Sequence, residues 1–215
     1  MKTKLTNSYQ APIRETPLRK FFIFVLIPIL KSLVKIKVHK IENLPKAGAV
    51  IVACNHLSFF EGFALQYAIP RPIFFMGKEE NFNNPFLRFF MYQIGAFPVR
   101  RGTYDRSALD QAIRILKQEQ ALGMFPEGTR TYGKGLLSAK GGTAILAIKM
   151  NCPIIPIAMD GTHHILKNIF KRPQVNITVC PPVFSDEKMT PADLTEKYMR
   201  VIAKNLPLEL RGEYG

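Results

Sequence analysis

The sequence predicts an α/β protein: a layered αβα domain with a mixed, mostly parallel sheet, preceded by a helical N-terminal segment. Three observations carry that prediction. The continuous apolar run Ala49-Val-Ile-Val-Ala-Cys54, bounded by turn residues, suits a strand buried on both faces of a central sheet. Further strand candidates alternate with segments of helical period, the order that builds a sheet covered by helices. The first strand candidate is amphipathic, and a strand with one wet face argues against a purely parallel sheet.

Taken in chain order, residues 1 to 17 are polar and are expected to be loosely ordered. The apolar run Phe21-Phe-Ile-Phe-Val-Leu-Ile-Pro-Ile-Leu30 follows, framed by Arg19, Lys20 and Lys31. It is too short to span a bilayer, which takes about 20 residues. A cleaved signal would continue into small residues, whereas Lys31-Ser-Leu-Val-Lys-Ile-Lys-Val-His-Lys40 continues here. Aromatics, Pro28 and flanking cations fit a segment lying in the headgroup layer, apolar side chains in the acyl tails and cations at lipid phosphates. A helix buried in the core is the alternative. The chain then divides into 1–34, a tail with an interfacial membrane segment, and 35–215, the folded domain. Its expected place is monotopic, on the cytoplasmic face of a membrane.

From Lys35 the period becomes two, with Ile36, Val38 and Ile41 alternating against Lys35, Lys37 and Lys40. A turn over 43–48 separates this strand from the apolar run at 49–54. Further strands are expected at 72–76, 96–99, 123–125, 154–159 and 175–180. Between them Leu109, Ala112, Ile113 and Leu116 fall at i, i+3, i+4 and i+7, and a second helical stripe covers 143–150. A third helix is marked by Thr190 as N-cap, Pro191 at N1 and Asp193 at N3, ahead of Leu194, Tyr198, Val201 and Ile202.

Composition bounds the function. With 47% hydrophobic residues and three cysteines in 215 residues, the chain is neither a disordered tail nor a disulfide scaffold. Its 30 Lys and Arg against 16 Asp and Glu leave a net charge of +14, which asks for an anionic partner: nucleic acid, a membrane surface or a phosphorylated substrate. Cys54, Cys152 and Cys180 lie far apart in apolar sequence and read as reduced core residues, with a nucleophilic Cys54 as the lesser reading.

Three segments carry chemistry. In Asn55-His-Leu-Ser-Phe-Phe-Glu61, at the end of the buried strand, a carboxylate five residues after a histidine reaches back to one imidazole nitrogen and leaves the other free as a general base. A histidine capping a helix start, with Glu61 as a first-turn acid, is the structural alternative. In Gly123-Met-Phe-Pro-Glu-Gly-Thr-Arg130, Gly128 permits close backbone approach to a ligand and Arg130 offers a bidentate fork for phosphate oxygens. The third segment sets Lys78-Glu-Glu ahead of Gly95-Ala-Phe-Pro-Val-Arg-Arg101, repeating the pattern of cations at strand ends.

Together these segments resemble the glycerolipid acyltransferase family, typified by the 1-acyl-sn-glycerol-3-phosphate acyltransferases. The first motif of that family, Asn-His-x4-Asp, is met by Asn55 and His56, with Ser58 as commonly found and Glu61 in place of the usual Asp. Its second is met by Gly95 and Arg101 with Lys78 and Glu79 upstream. Phe125-Pro-Glu-Gly-Thr-Arg130 meets the third at all six positions, and Pro153-Ile-Ile-Pro156-Ile the fourth. The resemblance implies acyl transfer from acyl-CoA or acyl-carrier protein to the hydroxyl of a lysophosphatidic acid, with no acyl-enzyme, no cofactor and no metal. It implies His56 and Glu61 as catalytic residues, Lys78, Arg101 and Arg130 as a phosphate clamp, and oxyanion donors from the backbone near the third motif. Asn55, Ser58, Gly95, Glu127, Gly128 and Thr129 complete the expected substrate site; Glu127 and Thr129 either order their loop or touch the acceptor glycerol. The longer acid at position 61 moves its carboxylate by about 1.5 Å.

Rival readings are a nucleic-acid module, a non-catalytic membrane protein on this fold, and an enzyme for another lysolipid. The nucleic-acid class lacks a reading motif and cations interleaved with aromatics, so no nucleic-acid partner is expected. His163-His164 has no acid cluster beyond Asp160 and reads as a capping or surface pair.

Overall fold

The computed structural model describes residues 16–100, 102 and 105–215. Seven strands form one sheet: β1 (Lys35–His39), β2 (Val50–Cys54), β3 (Ile73–Lys78), β4 (Ala96–Val99), β5 (Ala121–Met124), β6 (Ile154–Asp160) and β7 (Gln174–Val179), in the order β1-β7-β6-β2-β5-β3-β4. β2 pairs in parallel with β5 and β6, and β3 in parallel with β5 and β4. β7 runs antiparallel to β6, and β1 joins β7 in parallel at the edge, so these two strands oppose the other five. The mixed sheet expected from the amphipathic first strand is thus present. Ile41 leaves that strand because Lys40 adopts a left-handed backbone (φ 57°) and starts a 3-10 turn at Ile41–Asn43.

Among the described residues seven α-helices accompany the sheet: α1 (Pro17–Leu33), α2 (Glu61–Ala68), α3 (Pro85–Gln93), α4 (Arg106–Lys117), α5 (Gly142–Met150), the one-turn α6 (Ile165–Asn168) and α7 (Pro191–Lys204). On one face α4, α5 and α7 pack Ala112, Ile115, Ala147, Leu194, Tyr198 and Ile202 against Ile51, Leu122 and Ile154. On the other, α2 and α3 bring Ala64, Leu65 and Met91 to Val50, Val52, Ile73, Ile155 and Ile157. Alternate residues of β2 therefore enter opposite cores, which is why its sequence shows no alternation.

The third expected helix forms with its capping box: the Thr190 side chain accepts from the Asp193 N–H while the Asp193 carboxylate accepts from the Thr190 N–H. α3 was not marked by helical spacing. Its start is nonetheless encoded in Asn84-Pro85, where the Asn84 side chain accepts from Phe86 N and Leu87 N.

α1 is longer than its apolar run. The Thr16 side chain caps it by accepting from Arg19 N (3.1 Å). Arg19, expected to face headgroups with Lys20 and Lys31, turns inward instead. It is buried, donates to the Ile73 carbonyl (2.9 Å) and stacks over Phe74 (4.8 Å), anchoring the helix to the start of β3. Arg19 is also the only buried residue of α1, so the buried core helix that the composition allowed is not what forms.

Leu122 lies in the interior strand β5, next to β2, with no solvent contact. Leu122→Ala is expected to lower unfolding stability by about 2–5 kcal/mol, read from the urea midpoint.

Candidate active site

β2, β5, β3 and β6 all point the same way, so their C-terminal ends share one edge of the sheet. Each end contributes to one cluster, as is general for open α/β sheets. His56 follows β2, Lys78 ends β3, Glu127 to Arg130 follow β5, and Thr162 follows β6.

The His56 Nδ1 and Glu61 Oε2 are 3.0 Å apart. The expected histidine–carboxylate pair therefore forms despite the longer acid, because Glu61 opens α2 and its side chain folds back over its own turn. The Ser58 N–H donates to both carboxylate oxygens (2.9 Å each), the Ser58 hydroxyl donates to Oε1 (3.0 Å), and the Thr162 hydroxyl donates to Oε1 as well. With Nδ1–H turned to the carboxylate, the other ring nitrogen is left as an acceptor. The imidazole stacks on Phe125 (4.1 Å, 18° between planes), and Phe125 stacks on Phe75 (6.1 Å).

Glu127 does not reach the groove. Its carboxylate is buried and accepts from the backbone N–H of His56 (2.8 Å) and of Leu137 (3.0 Å), so of its two expected roles the structure displays loop ordering. Burial pushes its pKa up to about 7, with the nearby Glu61 charge adding to that and the two N–H bonds opposing it. Two further backbone bonds, Thr131 N to His56 O (2.8 Å) and Tyr132 N to Leu57 O (3.0 Å), join the loops after β2 and β5. The C-terminus braces the second loop: Leu136 N donates to Leu210 O, Glu213 N to Leu136 O, and Ala139 N to the Tyr214 hydroxyl.

His56 opens on a groove continuous with solvent. Phe59, Phe75, Met76, Met91, Ile94 and Phe125 make its walls apolar, and Lys78 and Arg130 stand on its lining with His56. Lys78 Nζ pairs with Glu80 (3.1 Å) with both side chains wet, a contact that an incoming anion can displace at little cost. Arg130 is exposed, over the Tyr132 ring (5.6 Å). Arg101, the third expected cation, lies outside the described residues.

Other expected site residues are committed to scaffolding. Asn55 has no solvent contact: its side-chain amide donates to the Met159 carbonyl and accepts from the Met159 N–H (2.8 Å each), clamping β2 to β6. Gly95 sits between groove residues Ile94 and Ala96 at φ 77°, where a Cβ would lie 2.6 Å from Ile73 O and 2.7 Å from Arg19 Nη2. Gly128 takes φ 68° beneath Lys140, and Thr129 is exposed beside it. Cys54 is fully buried with its thiol pushed well above the ordinary range, chiefly by desolvation, which removes it as a nucleophile. Cys152 and Cys180 are likewise buried, each pushed up to about 11. Among the described residues no group of three or more His, Cys, Asp and Glu side chains gathers as a metal site would. Thr162 carried no sequence signal; its contact with Glu61 exists only through the pairing of β6 with β2.

A histidine held in this way at the C-terminal edge of an α/β sheet places the protein among enzymes equipped for imidazole base chemistry. The Acyltransferase family model matches residues 35–160, more than half of the chain, and the protein belongs to that family. The 1-acyl-sn-glycerol-3-phosphate acyltransferase of Bacillus subtilis is 32% identical over 165 residues, covering 76% of this chain and 81% of the relative. The enzyme of the same name from Borreliella burgdorferi is 29% identical over 139 residues, 63% of this chain and 56% of its own length. The crystal structure of the 1-acyl-sn-glycerophosphate acyltransferase PlsC from Thermotoga maritima shares the fold, with a TM-score of 0.71 over 87% of this chain and 79% of that one at 24% identity.

A carboxyl raised to about 7 in the fold binds a proton that the unfolded chain has already released. Its contribution is fully present below the unfolded value of 4.5 and is lost as pH rises through about 7. Urea midpoints are expected to fall between pH 5 and pH 8, and Glu127→Gln is expected to flatten that slope.

Proposed function

We propose that the protein transfers a fatty acyl group from a thioester, acyl-CoA or acyl-carrier protein, to the free hydroxyl of 1-acyl-glycerol-3-phosphate, forming phosphatidic acid at a membrane surface. The observation that carries this reading is the His56–Glu61 contact at the head of a groove that combines apolar walls with two cations. The names of the relatives point to the same acceptor.

In this reading the free nitrogen of His56 takes the acceptor hydroxyl proton as that oxygen bonds to the thioester carbonyl carbon. Glu61 holds the ring and stabilises the imidazolium that forms. Collapse of the tetrahedral intermediate breaks the C–S bond, and the departing thiolate recovers the proton from His56. No side chain is acylated, in keeping with a buried and protonated Cys54. Lys78 and Arg130 receive the acceptor phosphate, with Arg101 as a proposed third cation, and the walls formed by Phe75, Met91 and Ile94 receive an acyl chain.

Location at a membrane is supported by α1. Phe21 and Phe24 are 66% and 74% exposed, Val25 and Ile29 also face outward, and Lys20 and Lys31 flank them. Phe22 packs edge-on against Phe89 (6.0 Å) and Phe90 (5.4 Å) of α3, whose Phe86 and Phe89 extend the exposed apolar surface. Among the described residues no helix is long and apolar enough to cross a membrane, so an interfacial position is the one proposed.

Purified protein with labelled acyl-CoA or acyl-carrier protein and a panel of lysolipids is expected to yield labelled phosphatidic acid. His56→Ala is expected to lower kcat by about 10²- to 10⁴-fold while the protein remains folded, with a thermal midpoint lowered by the loss of one Glu61 donor. Product from another lysolipid alone would replace the acceptor, and turnover retained by His56→Ala would remove the mechanism. In sedimentation with vesicles, binding is expected to rise with anionic lipid and to weaken with salt. Phe21→Ser with Phe24→Ser is expected to release the protein without unfolding it.

A further inference from the structure

The Glu61 carboxylate has no solvent contact, and its donors fall into two groups. His56 and Ser58 belong to the same short stretch as Glu61 and move with it. Thr162 stands 101 residues away, at the exit of β6, and is the one donor from outside that stretch among the described residues. We infer that Thr162 is a positioning residue for Glu61, and through it for His56; the inference rests on the proposed base role of His56.

The terminal torsion of a glutamate side chain is broad and roughly two-fold, so contacts within one turn leave the carboxylate plane loosely defined. Ser58 shares its N–H between both oxygens at 2.9 Å and gives its hydroxyl to Oε1 at 3.0 Å, but both groups ride on the same loop as Glu61 and do not reference the carboxylate to the sheet. A hydroxyl on Oε1 from the sheet side locks the plane, and with it the lone pair of Oε2 that faces Nδ1. Thr162 is itself 1% exposed, so its rotamer is set by packing.

The turn that delivers this hydroxyl is specialised. Gly161 adopts φ 88°, and a Cβ there would collide with the Gln174 carbonyl of β7, so a side chain at this position would force the turn away from the strand. Asn55 adds a second tie at the same level by clamping β2 to Met159, two residues before Gly161. The end of β6 is thus registered to the end of β2, and Thr162 carries that registration into the His56–Glu61 pair.

Thr162→Val keeps the side-chain volume and removes the donor. We expect kcat to fall about 10- to 100-fold, as for a lost hydrogen bond to a charged group, with KM for both substrates unchanged, and Thr162→Ser to restore it. In a Glu61→Asp background the shorter acid cannot serve both partners, so Thr162→Val is expected to add little further loss. A second readout needs no turnover: the low-field proton resonance of the His56 Nδ1–H is expected to shift in Thr162→Val and to return in Thr162→Ser. Thr162→Ala provides the same test if the valine variant does not fold. Unchanged kcat and resonance, equal losses for Val and Ser, or a raised KM at constant kcat would overturn the inference. A shifted resonance in a protein inactive toward every lysolipid would sustain the positioning role and remove the proposed reaction instead.

Discussion

An ionised carboxylate without solvent is tolerable only when its oxygens are occupied by donors, because the desolvation cost otherwise reaches several kcal/mol. Glu61 imposes that condition on the molecule. Its four donor groups come from the loop between β2 and α2 and from the exit of β6, so the acid cannot be satisfied until these two pieces are assembled. Glu127 is buried one layer away, where burial pushes its pKa up to about 7 and two backbone N–H groups tie it in place. It joins the His56 backbone to that of Leu137, whose loop is braced by the C-terminal turns. Two buried acids, each bonded to the His56 residue through a different atom, fix its ring from the side chain and its backbone from below.

Packing supplies the remaining constraint. Gly123 in β5 lies against the Phe75 ring so closely that a methyl group would not fit. That absence lets Phe75 lie beneath Phe125, and Phe125 beneath the imidazole. The hydrogen bonds set the rotation of the ring about its own axis, and the aromatic column sets its tilt. Phe75 and Phe125 are also groove walls, so the surfaces that orient His56 are those that meet a bound ligand.

The sheet was legible because its strands are short apolar runs separated by turns, and the alternation of β1 pointed to a mixed sheet, although the antiparallel pairing itself lies between β6 and β7. All seven strands occur where that pattern put them, within two residues at each boundary except the early departure of Ile41. α3 was obscure because its aromatics serve two surfaces and leave no single apolar stripe. In the site, the His56–Glu61 pair is local and was readable from spacing. The duties of Asn55, Gly95 and Glu127 depend on Met159, Ile73 and Leu137, residues 10 to 104 positions away in the chain, and no local pattern encodes them. Thr162 lies beyond sequence reading for the same reason. Arg19 misled because a cation beside an apolar run belongs at a headgroup by default, whereas here a backbone carbonyl and an aromatic face receive it.

That inward arginine bears on how a membrane-derived substrate would reach the site. It fixes α1 to β3, and Phe22 fixes α1 to α3. α3 then has two working surfaces: Phe86 and Phe89 face outward beside α1, while Met91 turns into the groove that holds His56. A single nine-residue helix therefore separates the exposed apolar surface from the groove wall. On the proposed reading an acyl chain drawn from the lipid phase moves across one helix diameter, about 10 Å, and stays against apolar side chains as it does so. The phosphate cannot follow into that environment without a large desolvation cost. On the same proposed reading Lys78 and Arg130, exposed at the end of β3 and after β5, would hold it at the mouth and leave the glycerol hydroxyl as the group presented to His56.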